Sequence, residues 1–193
     1  MGKACLYLIG IPGSGKTTLV RTALAGVPVQ ACKVGIMPYL RYPGGIELGA
    51  IRPPLGGTDA LELRIQPHAI AWLKTVCPYT ALLAEGDRLA NGQFFHALCA
   101  MGWVLTVAYL RCPPEIAARR RANRPLVGKR ARDRQGAEPP AAWLKGRITK
   151  VERLAAAWAA CCWHLDARLP IDHLAALLRS HPVCQQLVCP EVP

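Results

Sequence analysis

"LIGIPGSGKTTLV", residues 8–20, decides how the rest of the chain is read. An apolar run closing at Ile9 meets Gly10, Gly13 and Gly15, then Lys16, Thr17, Thr18 and a second apolar run. Glycines let the backbone take turns closed to other residues, so consecutive amides can converge on one anion. The segment after the turn is helix-prone, and a helix starting there aims the positive end of its dipole at the same point. An apolar strand before the turn and a helix after it are the context this pattern requires.

Gly10-Ile11-Pro12-Gly13-Ser14-Gly15-Lys16-Thr17 has the spacing of a P-loop, two glycines four residues apart followed by Lys and Thr. The expected cradle for a nucleoside triphosphate is Gly10, Pro12, Gly13, Ser14, Gly15, Lys16, Thr17 and Thr18. Lys16 is expected to reach the β- and γ-phosphates, and the Thr17 hydroxyl to ligate Mg²⁺.

Working outward, strand and helix patterns alternate. Residues 4–10 read as a buried strand, and 14–26 as a helix closed by Gly26. Residues 29–37 read as a second strand. Residues 38–58, crowded with Gly and Pro, read as an irregular lobe with a short hairpin around 46–51. "QPHAIAWLKTV" suits a helix, "YTALLAEGD" a buried strand ending in acids, and "NGQFFHALCAMG" a helix capped by Asn91. "WVLTVAYL" is a strand and "PPEIAARRRANR" a proline-opened helix. Residues 125–140 read as an exposed flap and 141–161 as a long helix. "WHLDA" and "PIDHLAALLRSH" close the pattern, and the segment after His181 has no assignment. The alternation predicts an α/β fold, a P-loop NTPase-type, mainly parallel sheet flanked by helices, with a basic flap. The expected organisation is a single domain over 1–182, with a substrate lobe at 38–66, a lid-like flap at 119–142 and a tail at 183–193.

Composition narrows the class. No uninterrupted apolar stretch reaches eighteen residues, so no transmembrane helix is expected. "ACLYLIGI" lacks a small-residue cleavage site and runs straight into the glycine turn, which favours a buried strand over a signal peptide. Nine cysteines without a Cys-x-x-Cys pair point to reduced, buried thiols of a cytosolic protein rather than to zinc. Net charge is +12, and residues 111–153 hold thirteen Lys and Arg against four Asp and Glu. A regional positive field draws in polyanions, with nucleic acid the first suspect; a solvated basic loop is the plainer alternative.

A kinase needs a carboxylate near the magnesium and a base for the attacking hydroxyl. Glu85 and Asp87 stand just past an apolar strand, followed by Arg88, which could pair with phosphate. These acids could instead cap the next helix. Asp59, after two glycines, could be the general base or the N-cap of a helix beginning near Ala60. No Asn-Lys-x-Asp guanine motif is present, and 193 residues suit a small phosphotransferase better than a large ATPase. Arg119, Arg120 and Arg124 are candidates for covering the triphosphate and stabilising charge on the transferred group. The remaining cations, Lys129, Arg130, Arg132, Arg134, Lys145, Arg147 and Lys150, suit a DNA backbone, whose grip weakens with salt. Trp143 shares a helical face with Arg147 and could stack on an unpaired base or pack in the core.

The segments "LIGIPGSGKTT", "IELGAIRPPLGGTDAL", "LLAEGDRLAN" and "WLKGRITKV", in this order, resemble the 5-hydroxymethyluracil DNA kinases of bacteriophages. The resemblance spans about residues 6–155 and lies chiefly in the second and third segments. It implies a fold like thymidylate kinase, ATP as donor, and DNA containing 5-hydroxymethyluracil as acceptor in the cytoplasm of an infected host. The implied product is the phosphomethyl base, a step in thymine hypermodification. The alternative acceptor is a free nucleotide or another small metabolite. The resemblance does not choose among Asp59, Glu85 and Asp87 as base.

Overall fold

β1 (Ala4–Ile9) runs through the middle of a seven-stranded sheet, with β5 (Ala81–Glu85) on one side and β6 (Val104–Arg111) on the other. The computed structural model describes residues 2–51, 56–75, 77–123 and 139–189. The full strand order is β2-β3-β4-β5-β1-β6-β7, with β2 at Gln30–Val34, β3 at Met37–Tyr42, β4 at Gly45–Leu48 and β7 at Cys162–Asp166. β4, β5, β1, β6 and β7 are parallel, while β2 and β3 are antiparallel to their neighbours. Central parallel strands are covered on both faces, which is why β5 reads as an apolar run up to its closing Glu85, buried at every position.

Seven helices surround the sheet among the described residues: α1 (Lys16–Ala23), α2 (Gln66–Thr75), α3 (Gly92–Ala100), α4 (Pro114–Ala122), α5 (Ala141–Ala157), α6 (Ile171–Ser180) and α7 (Pro182–Val188). One core layer packs Tyr7, Phe94, Phe95, Trp72 and Leu154 on one face of the sheet. The other packs Leu6, Leu8, Leu19, Leu83, Leu178 and Leu187 beneath α1, α6 and α7. Alternate residues of β1 feed opposite layers, as the two-residue period of a strand requires. No helix among the described residues is long and apolar enough to cross a membrane.

Two expectations need correction. Residues 38–58 are not mainly irregular: 37–42 and 45–48 are strands of the main sheet, joined to β2 as an antiparallel meander. Pro43 and Gly44 form the turn between β3 and β4. A Cβ on Gly44 would stand 1.9 Å from the Gln186 carbonyl oxygen, so only glycine lets this turn touch α7. Of the segment after His181, without an assignment from sequence, Pro182–Val188 form α7. His181 caps it by accepting from the Val183 amide at 3.2 Å, Pro182 fills its first turn, and Val183, Cys184 and Leu187 are buried.

Candidate active site

The P-loop joins β1 to α1 at the carboxyl edge of the sheet, where ligands of open parallel sheets bind. Gly15 is the N-cap of α1 with φ 101, and Gly13 takes φ 89. A Cβ on Gly13 would lie 2.5 Å from the Ala117 carbonyl, so α4 presses directly on the loop. The same helix ties the loop's outer carbonyls: Arg120 donates to Ser14 O at 2.7 Å and to Ala167 O at 3.0 Å, and Arg121 donates to Pro12 O at 2.6 Å. Those bonds hold the loop against α4 from outside. Lys16 is buried and bridges the loop, donating to Gly10 O at 2.8 Å and Ile11 O at 3.3 Å.

β5 lies next to β1, with Leu8 in register with Glu85, so the acids do come to the loop's side. Glu85 is fully buried, and its Oε1 accepts from the Thr17 hydroxyl at 2.8 Å. Burial pushes its carboxyl up to about 7; Lys16 and the Thr17 bond pull the other way, and Asp59 and Glu47 add to the rise. Glu85 Oε2 is buried without a partner among the described residues. A buried carboxylate oxygen without a donor is costly, and a cation is one way of compensating it. The hydroxyl and carboxylate are hard oxygen donors that fit Mg²⁺. No cluster of three His, Cys, Asp or Glu among the described residues could hold a metal. The set therefore suits an ion that completes its shell from phosphate and water.

A 3₁₀ turn, Gly57–Ala60, sits against the end of β5. Thr58 fixes it there, donating to Glu85 O at 2.9 Å, with the Tyr7 hydroxyl 3.2 Å away. This turn presents Asp59 to the cleft, and Asp59 Oδ1 accepts from the Asp87 amide at 2.6 Å. The capping alternatives therefore fall. Asp59 lies inside the turn, with Leu61 extended after it rather than starting a helix. Asn91 caps α3, accepting from the Phe94 amide at 3.0 Å, so neither Glu85 nor Asp87 does.

α5 forms the opposite wall. Asp87 Oδ2 is paired with Arg147, and Lys150 donates to Asp87 Oδ1 at 2.7 Å and to Asp87 O at 3.0 Å. Trp143 is 43% exposed rather than packed in the core, and the Arg147 guanidinium lies 5.0 Å over its ring. Loop, acids and α5 enclose a cleft of about 490 Å³ lined by Lys16, Thr17, Asp59, Asp87, Arg88, Trp143, Arg147 and Lys150, among others. The buried Nε of Arg88 has no partner among the described residues.

Of the expected arginines, Arg120 reaches the loop, Arg119 is exposed, and Arg121 was missed by sequence reasoning. A run of three arginines on one turn did not reveal which two would face the loop. Lys145 is exposed on α5. Arg124, Lys129, Arg130, Arg132 and Arg134, with most of the flap, lie outside the described residues.

Residues 1–167 match the family model described as P-loop Nucleotide Kinase3. Among solved structures, the chain is similar to a sugar kinase from Janibacter sp. (16% identity, 92% of this chain and 93% of that chain, TM-score 0.47). It is similar to a gluconokinase from Sinorhizobium meliloti 1021 (14% identity, 92% and 98%, TM-score 0.46). It is also similar to a shikimate kinase from Aquifex aeolicus VF5 (15% identity, 90% and 93%, TM-score 0.47). A comparison with curated proteins found no match. The chain belongs to the P-loop nucleotide kinase family, and it is a phosphotransferase.

Proposed function

We propose that this P-loop nucleotide kinase carries the γ-phosphoryl group of ATP to the hydroxymethyl oxygen of 5-hydroxymethyluracil in DNA. The observation that carries the reading is the exposed Trp143 under the Arg147 guanidinium, on the wall of the phosphate cleft. An aromatic surface beside cations, at the edge of a phosphate site, suits a base with a phosphodiester next to it. The segments that resemble those of the phage kinases and the excess of basic residues between 111 and 153 support the same acceptor.

The loop amides and Lys16 bind the triphosphate and hold its outer phosphates. Thr17 and Glu85 are the residues that would hold Mg²⁺, which when bound neutralises charge on the phosphates. Asp59, anchored through Oδ1, is placed to take the proton of the acceptor hydroxyl. The hydroxyl oxygen forms a bond to the γ-phosphorus as the bond from that phosphorus to the β,γ-bridging oxygen breaks, and ADP leaves. Arg88 lines the cleft, where its guanidinium can stabilise charge on the phosphoryl group in flight. Asp87 has both oxygens engaged by Arg147 and Lys150, so it holds α5 against the acid strand instead of acting as base.

A second reading keeps this chemistry with a free nucleotide as acceptor, and the family's description as nucleotide kinases favours it. One experiment separates the two. γ-Labelled ATP is offered with 5-hydroxymethyluracil DNA, with thymine DNA and with the free hydroxymethyl nucleotide. Label in the first alone supports the DNA acceptor; label in the free nucleotide alone transfers the assignment to the second reading. No label in any of them overturns both.

A further inference from the structure

Beneath α1 the sheet carries two fully buried carboxylates among the described residues, Glu85 on β5 and Glu47 on β4, and the chemistry above uses only the first. Glu47 is in register with Leu83, so it stands on the same face of the sheet as Glu85, one strand over and two residues further from the carboxyl edge. Thr17 and Arg21, four residues apart, lie on one face of α1. Thr17 donates to Glu85 Oε1 at 2.8 Å, and Arg21 is paired with Glu47 Oε1. A helix rises about 6 Å in four residues and a strand about 6.6 Å in two, so the two bonds are matched rungs between helix and sheet. The Tyr42 hydroxyl braces the second rung, accepting from Arg21 at 3.0 Å and donating to Glu47 Oε2 at 3.0 Å.

The second rung is a poor device for stability. Taking a carboxylate and a guanidinium out of water costs as much as their attraction returns, and apolar residues of similar volume are often no worse. Burial pushes the Glu47 carboxyl up, against the pull of Arg21. The network is also incomplete, because the buried Nε of Arg21 has no partner among the described residues. What the rung adds is direction. Leu6, Leu8, Leu19 and Leu83 hold α1 down on the sheet, but apolar contacts have no preferred angle and tolerate sliding. Hydrogen bonds fix distance and angle. A shift of α1 along the sheet would carry the Thr17 hydroxyl off Glu85 and displace the P-loop that opens the helix.

We propose that Glu47, acting through Arg21 and Tyr42, is a positioning residue for phosphoryl transfer: it keeps α1 in register on the sheet, so that Thr17 meets Glu85 beneath the phosphates. The proposal rests on the kinase reading of this site but not on which acceptor is used.

The test compares Glu47→Gln with a triple variant, Arg21→Met with Tyr42→Phe and Glu47→Leu, which exchanges the network for apolar residues of similar size. Urea unfolding reads stability, labelled ATP with an accepting substrate reads kcat and KM, and amide exchange reads the Leu19 amide. That amide donates to Gly15 O at 2.8 Å in the first turn of α1. The triple variant should unfold at the parent's urea midpoint or above it. Its kcat should nevertheless fall about 10- to 100-fold, the scale of a misplacement of about 1 Å, with the ATP KM changed less than about threefold. The Leu19 amide should exchange about tenfold faster or more, while the Val107 amide in β6 keeps its rate. Glu47→Gln should fall between parent and triple variant in kcat.

Parent values of kcat and of Leu19 exchange in the triple variant overturn the proposal. So does a lowered urea midpoint with unchanged kcat per folded molecule, which makes the network structural. A fall in kcat without faster exchange at Leu19 overturns it as well, because α1 is then not the route. Should the triple variant fail to fold, the same criteria apply to Glu47→Gln. A parent protein that labels no acceptor refutes the kinase reading, and exchange at Leu19 still decides whether Glu47 sets the register of α1.

Discussion

The floor of the cleft is the loop between Gly10 and Thr17, whose Ser14 and Pro12 carbonyls are held from outside by Arg120 and Arg121. On the wall, α5 presents long side chains, Trp143, Arg147 and Lys150, whose order comes from an ion pair with Asp87 and a ring contact. The floor is buried and has almost no conformational freedom to lose when a phosphate arrives. The wall is partly exposed, and its side chains keep rotamer freedom that a ligand must still remove. A floor of this kind fixes where the phosphorus sits. A wall of this kind adapts to what is brought to it.

The contrast can be broken at five points. Lys16→Ala should cut phosphoryl transfer by about 10³-fold or more, because the loop loses its buried cation. Steady-state assays with labelled ATP read this directly, and near-normal turnover would separate the floor from the chemistry. Asp59→Asn should lose about 10² to 10⁴ in kcat, the scale of a general base. Asp87→Asn should lose less and act mainly through KM, as expected of a residue that holds the wall; equal kcat losses would erase the distinction.

Smaller effects are thermodynamic. The Glu85 carboxyl is raised to about 7 by burial, above its unfolded value of 4.5. Between those values the native state keeps a proton that the unfolded chain has released, so its contribution to stability is full at low pH and falls as pH rises through the window. The slope is at most about 1.4 kcal/mol per pH unit, and Glu85→Gln should remove it in urea unfolding at pH 5 and pH 7 without nucleotide. A parallel slope in the variant would place the titration elsewhere. Arg147→Ala should cost no more than about 1 kcal/mol of stability, since the pair with Asp87 is about a third exposed and solvent screens it. A loss above about 2 kcal/mol would make the wall as structural as the floor.

The floor was legible because its information is local. Glycine spacing, a lysine and a threonine lie within eight residues, and the strand carrying Glu85 announces itself by an unbroken apolar run. Asn91 was readable as a cap for the same reason. The rest was written between distant positions. Arg21 on α1 pairs with buried Glu47 on β4, with the Tyr42 hydroxyl donating to Glu47 Oε2 at 3.0 Å, and nothing in residues 21, 42 or 47 alone announces that triad. β3 and β4 were hidden because glycine and proline serve turns as readily as irregular chain. α7 was hidden because seven residues carry too little periodicity, and its burial depends on Gly44, far away in the sequence.

The place of β1 in the sheet has a consequence for the way the protein comes into being. β1 precedes its partners in the chain: its hydrogen-bonding neighbours are 81–85 and 104–111, and the helix packed on β4 and β5 is 182–188. The phosphate-binding motif therefore leaves the ribosome ahead of both strands that flank it. A chain stalled before residue 81 would carry the motif without either of the strands that flank it.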